Sequence, residues 1–126
     1  MRLLLDTHII LWGMIETKRL SAAEVLAMQA SDNQIFVSVV SLWEIAIKSA
    51  KGQLRAPEDF LRAVESNPDF EVLPVLAEHA WRVRSLPLFH GDPFDRLLVA
   101  QALCENLVLV SRDPWLTRYE VPIFGR

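Results

Sequence analysis

The chain has 126 residues, 52% of them hydrophobic and 23% charged, with a net charge of −3 at pH 7. Its length suits one domain, 1–126, built on a continuous core, and its composition excludes a disordered chain. The basic excess common in nucleic-acid-binding domains is absent, although an acid cluster holding a cation would be neutralised in the working protein and would mask such a balance.

The single cysteine, Cys104, excludes an internal disulfide and reads as a buried, inert thiol on an apolar helix. No apolar run approaches the roughly 18 or more residues of a membrane span. The stretch Arg2-Leu3-Leu4-Leu5-Asp6 turns acidic too soon for a secretory signal. A cytoplasmic protein without membrane contact is expected.

Residues 2–5 are an apolar run that stops at Asp6 and Thr7, the pattern of a buried parallel strand. The apolar pattern resumes over 8–12 as the start of a helix. Ser21-Ala22-Ala23-Glu24 spells a capping box and opens a helix to residue 30. Residues 34–40 are β-branched and aromatic and read as the second strand. Ser41-Leu42-Trp43-Glu44 spells another capping box, opening a helix to about residue 52. On that helix Trp43, Ile47, Ala50 and Leu54 recur as a core face, and Glu44, Lys48, Lys51 and Arg55 recur on another.

A helix over 57–64 follows, then a short or edge strand over 70–75, limited by Pro74. The helix over 77–85 turns Ala80, Trp81 and Val83 inward, and a loop over 86–91 leads to Asp92-Pro93. This pair is an N-cap followed by proline at the first helical position. The helix that it opens is apolar nearly all round to Ala102, with Arg96 and Gln101 as exceptions. Residues 107–110 are the most strand-like in the chain and end at Ser111-Arg112-Asp113-Pro114, a second cap spelling. Residues 121–124 add a last short strand. Strands alternating with helices predict an α/β fold, a three-layer α/β/α sandwich around a mostly parallel sheet, with ligands beyond the carboxyl ends of the strands.

Four acids fall at that edge. Asp6 and Asp113 follow strands, Glu44 lies one helical turn past another, and Asp95 sits in the first turn after Asp92. Each also has a local explanation, as an N-cap or as the third residue of a capping box. Gathered together, they would repel one another and raise one another's pKa unless a cation were present. Hard divalent ions take such oxygen ligands, and a pair of them can clamp the attacking and leaving oxygens of a phosphodiester.

The spellings Leu4-Leu5-Asp6-Thr7-His8, Val37-Ser38-Val39-Val40-Ser41-Leu42-Trp43-Glu44-Ile45, Asp92-Pro93-Phe94-Asp95-Arg96-Leu97-Leu98-Val99-Ala100-Gln101-Ala102 and Ser111-Arg112-Asp113 resemble the PIN-domain ribonucleases. Within these they are most similar to the VapC-type toxins of type II toxin–antitoxin pairs. The resemblance runs from Met1 almost to Arg126 in the family's order and spacing.

It implies a PIN-like fold in which Asp6, Glu44, Asp95 and Asp113 are the catalytic, metal-binding acids. Asp6 and Asp95 would be the principal ligands, and Glu44 and Asp113 would act directly or through water. Thr7 and Ser111 would position water or a phosphate. The implied cofactor is Mg²⁺, with Mn²⁺ as a substitute, and the implied reaction is endonucleolytic cleavage of RNA that leaves a 5′-phosphate and a 3′-hydroxyl. The resemblance also implies a cognate antitoxin protein and a homodimer. Ile9, Ile10, Trp12, Met14 and Ile15 would suit such contacts or the core equally.

Arg96 and Arg112 flank two of the acids and are expected to bind substrate phosphate or to orient a carboxylate. Lys48, Lys51 and Arg55 line either an RNA path or a solvated face. His8 and His90 read as local hydrogen-bonding residues, and Trp115 as a residue bordering the cleft. Two other functions compete. A phosphatase using Asp6 as nucleophile would carry a second acid two residues on, where this chain has His8. A non-catalytic protein-binding module on the same fold would gain little stability from Mn²⁺.

Overall fold

The computed structural model describes residues 1–125. Four strands, β1 (Arg2–Leu5), β2 (Gln34–Ser38), β3 (Phe70–Leu73) and β4 (Val108–Val110), form one parallel sheet in the order β3-β2-β1-β4. Six α-helices connect them: α1 (Thr7–Ile15), α2 (Ala22–Gln29), α3 (Val39–Ala50), α4 (Phe60–Ser66), α5 (Ala77–Arg82) and α6 (Pro93–Glu105). Short 3₁₀ turns occupy Thr17–Arg19, Val83–Ser85 and Pro114–Arg118. Among the described residues no helix is long and apolar enough to cross a membrane.

The alternation of side chains along β1 explains the three layers. Leu3 and Leu5 join Ile35 and Val37 in a core with Ile9 and Ile10 of α1, Ala27 of α2, Ile45 of α3 and Phe60 and Val64 of α4. Leu4 points the other way, into a core with Phe36, Leu109 and the apolar faces of α6. All three leucines are fully buried, and burial of each stabilises the fold by about 1.5–3 kcal/mol. A strand covered on both faces has no reason to alternate polar and apolar residues.

Helix ends follow the local sequence. Asp92 caps α6 by accepting the N–H groups of Phe94 and Asp95 at 2.8 and 3.2 Å, with Pro93 at the first helical position. The helix stops at Asn106, whose left-handed backbone (φ 56°) turns the chain directly into β4. The capping box of Ser21 and Glu24 forms at α2 as spelled.

Four expectations are corrected. The second strand ends at Ser38, whose hydroxyl accepts the Val40 N–H at 3.0 Å and caps α3 in place of Ser41. Trp43 is consequently exposed and lies edge-on to Phe94, while Ser41, Glu44 and Ile45 turn inward. On α5 the inward residue is His79 and not Trp81. The expected strand at 121–124 is a single parallel bridge, Leu109 to Ile123, on the outer edge of β4.

A buried polar chain, joined where Gln101 Nε2 lies 3.2 Å from His79 Nδ1, ties α5 and α6 to the sheet. The Ser38 hydroxyl donates to Gln101 Oε1, and Gln101 Nε2 donates to the Pro74 carbonyl at 3.1 Å. His79 Nδ1 accepts the Leu76 backbone N–H at 3.0 Å, so its proton sits on Nε2, which donates to Glu105 at 2.8 Å.

Candidate active site

The order β3-β2-β1-β4 reverses direction of growth between β1 and β4, and a crevice opens there at the carboxyl ends of the strands. The Asp6 N–H donates to the Val110 carbonyl at 3.0 Å, continuing the sheet and setting Asp6 beside the end of β4. Asp6 is buried and caps α1 by accepting the Ile9 N–H at 3.0 Å. Burial pushes its carboxyl above the usual range, against the pull of a Ser111 hydrogen bond, the Ile9 N–H and nearby His8; Asp113 adds to the push.

The next residue reaches α3. Thr7 Oγ1 donates to Glu44 Oε1 at 2.5 Å and lies 3.1 Å from Ser41 Oγ. Glu44 is 4% exposed, and its other oxygen pairs with Lys48 Nζ at 2.5 Å. Glu44 therefore owes its position to Thr7 and Lys48 and not to a capping box.

Asp95, at the start of α6, is pushed up to about 7, first by burial and then by the negative charges of Asp92, Glu44 and Asp6, while a hydrogen bond from His90 pulls it down. Carboxylates from α6, α3 and the end of β1 thus act on one another directly. Asp113 divides its two oxygens. Oδ1 accepts the Trp115 N–H at 2.9 Å and caps the last 3₁₀ turn, and Oδ2 lies 3.4 Å from His90 Nε2. Ser111 Oγ accepts the Asp113 N–H at 3.1 Å while bonding Asp6. The structure brings Asp6, Thr7, Glu44, Asp95, Ser111 and Asp113 to one edge of the sheet.

The two arginines part ways. Arg96 is buried and is taken up by backbone carbonyls and a hydroxyl. Its guanidinium donates to the carbonyls of Pro87 at 2.7 Å, Val83 at 3.2 Å and Leu86 at 3.4 Å, and to the Tyr119 hydroxyl at 3.1 Å. It holds the loop before α6. Arg112 does orient a carboxylate, but that of Glu24 on α2, by two hydrogen bonds. It also donates to the Arg19 carbonyl at 2.7 Å and lies over the Trp12 ring. Its flank, with Asp6, His8, Trp12, Asp113 and Pro114, encloses a cavity of about 350 Å³ next to the acids.

His90, expected as a local hydrogen-bonding residue, stands among the acids themselves. Its Nε2 lies 2.9 Å from Asp95 Oδ2, and its ring stacks on Trp115 at an interplanar angle of 11°. A histidine five residues before Asp95, with no second ligand spelling beside it, carries no motif. Lys48, expected on an RNA path or a solvated face, pairs with Glu44.

The donor set suits a hard divalent cation: carboxylates from four elements lie at one edge of the sheet, and one of them, Asp95, is pushed up to about 7 by burial and by its acidic neighbours. A parallel α/β/α sandwich with this edge defines a class. Residues 3–121 match the PIN domain family, and the chain belongs to it.

Among particular proteins, it is 29% identical over 130 residues to Ribonuclease VapC22 of Mycobacterium tuberculosis, spanning 94% of this chain and 92% of that one. The fold is shared with VapBC2 from Rickettsia felis, solved bound to a DNA fragment from its promoter (TM-score 0.73, 19% identity, 98% of this chain and 96% of that one). It is also shared with FitAcB from Neisseria gonorrhoeae (TM-score 0.67, 19% identity, 98% and 96%).

Proposed function

We propose that this PIN domain is a divalent-metal-dependent endoribonuclease and the toxin of a toxin–antitoxin pair, working in the cytoplasm. The observation that carries the reading is that Asp6, Glu44 and Asp95 lie close enough to act on one another: Asp95 is pushed up to about 7, first by burial and then by the charges of Asp92, Glu44 and Asp6. Support also comes from a relative named a ribonuclease and from neighbours in fold that include a toxin–antitoxin complex from Klebsiella pneumoniae (TM-score 0.57).

Asp6 and Asp95 are the principal ligands for Mg²⁺, or for Mn²⁺ in its place, and Glu44 and Asp113 complete the set directly or through water. When bound, such an ion supplies Lewis acidity and charge neutralisation to the phosphate and lowers the pKa of water. The chain's own residues do the rest. Thr7 fixes the Glu44 carboxylate, leaving its second oxygen to Lys48. Ser111 ties Asp6 to Asp113. The acids accept the proton released as water attacks phosphorus, and a proton passes to the 3′ oxygen as its bond to phosphorus breaks, giving a 5′-phosphate and a 3′-hydroxyl. A cognate antitoxin and a second copy of the chain are the proposed protein partners.

The test is cleavage of cellular RNA by the purified protein with Mg²⁺ or Mn²⁺, with the ends mapped. Wild type cuts only with the ion, and Asp6→Asn and Asp95→Asn leave the RNA intact while remaining folded. Full activity in chelator overturns the proposal.

A further inference from the structure

The loop before α6 is fastened to an unusual degree for an exposed segment. Arg96 binds its carbonyls at Val83, Leu86 and Pro87. The Tyr119 hydroxyl takes a fourth Arg96 hydrogen bond and accepts the His90 backbone N–H at 3.1 Å. Phe89 packs edge-on against the Tyr119 ring at 5.3 Å. These contacts fix the backbone at residue 90. The His90 ring runs nearly parallel to that of Trp115, with centroids 6.1 Å apart, and Trp115 is itself anchored through its backbone N–H to Asp113.

This arrangement delivers one nitrogen to one place. Nε2 stands 2.9 Å from Asp95 Oδ2 and 3.4 Å from Asp113 Oδ2, two acids from different elements. A single N–H points straight at only one of them. Three donor atoms that converge in this way lie within 4.8 Å of one another. Adjacent ligands of an octahedral ion with bonds of about 2.1 Å stand about 3.0 Å apart, close to both separations. A neutral imidazole with its proton on Nδ1 presents a lone pair there.

We infer that His90 is a metal ligand of this site through Nε2, completing a mixed nitrogen and oxygen donor set with Asp95 and Asp113. The inference rests on the reading of the acids as a cation site. Its consequence is selectivity: imidazole favours Mn²⁺ and Co²⁺ over Mg²⁺, which prefers oxygen alone. His90 would then bias the ion on which the protein runs.

The experiment loads the protein with Mn²⁺ and records pulsed electron paramagnetic resonance on natural-abundance and ¹⁵N-histidine-labelled wild type and on His90→Ala, with Mn²⁺ and Mg²⁺ affinities from calorimetry. A nitrogen coupling that changes on labelling is expected in wild type. In His90→Ala the coupling is lost and Mn²⁺ binding weakens about 10-fold or more, with Mg²⁺ affinity nearly unchanged.

Binding of Mn²⁺ that needs Asp95, tested with Asp95→Asn, but shows no nitrogen coupling in wild type overturns the inference and leaves the cation site standing. Mn²⁺ binding that is absent, or indifferent to Asp95→Asn, overturns both. If His90→Ala fails to fold, His90→Gln takes its place, and a labelled nitrogen coupling that survives in the folded variant overturns the inference.

Discussion

Asp95 carries the cost of burying a carboxyl among like charges. Its carboxyl, ordinarily near 3.8, is pushed up to about 7, so between those values the folded protein holds a proton that the unfolded chain has released. Unfolding then sheds a proton, and the metal-free protein loses stability as pH rises from about 4 to about 7. Asp6, also raised by burial, acts in the same direction. Urea denaturation across that range should show the decline, and Asp95→Asn should flatten it. Above about pH 7 the same variant should be at least as stable as wild type while cleaving no RNA, which separates lost chemistry from lost folding. Arg96 predicts the opposite outcome. Arg96→Lys keeps the charge but not the fork that serves three carbonyls and a hydroxyl; it should cost about 1–3 kcal/mol in urea unfolding.

Elements differ in how far local sequence decides them. The start of α6 was legible because Asp92, Pro93 and the apolar run agree, and so were β1 and the α2 capping box. The start of α3 was not. Two serines three residues apart both spell a cap, and the β-branched pair Val39-Val40 speaks for a strand. What chooses Ser38 is tertiary: its hydroxyl meets Gln101 of α6, and Thr7 of α1 waits for Glu44. That choice rotates the helix, puts Glu44 inside and exposes Trp43, against the apolar spacing that reads Trp43 as core. The four acids were readable from their places at element ends, but His90 depends on a loop held by Arg96 and Tyr119, contacts too distant in sequence to be spelled. Replacing Gln101 by Leu should unfasten the polar chain from Ser38 to His79 and cost about 2 kcal/mol or more, read as a lowered denaturation midpoint.

At the level of the whole molecule, the parallel sheet and its covering layers were readable from alternating apolar runs and helices, whereas the strand order was not. That order decides function here, because the reversal between β1 and β4 brings Asp6 beside Asp113 although the two stand far apart in the chain. A cation bound by the folded form alone should stabilise it by about 2.7 kcal/mol at a hundredfold excess over its dissociation constant. Thermal melts with Mn²⁺ should therefore shift upward for wild type and stay put for Asp95→Asn.

Asp6 and Asp113 each spend one oxygen on the first turn of the segment that follows. Whoever needs a harmless version of this protein, to be produced in quantity inside living cells, should exchange these aspartates for their amides. Asparagine keeps an acceptor for the backbone tether and discards the charge. Trimming either side chain to a methyl group discards both, at about 1 kcal/mol for the tether, and a culture that then grew normally would leave its owner unable to say whether the nuclease had been silenced or merely loosened.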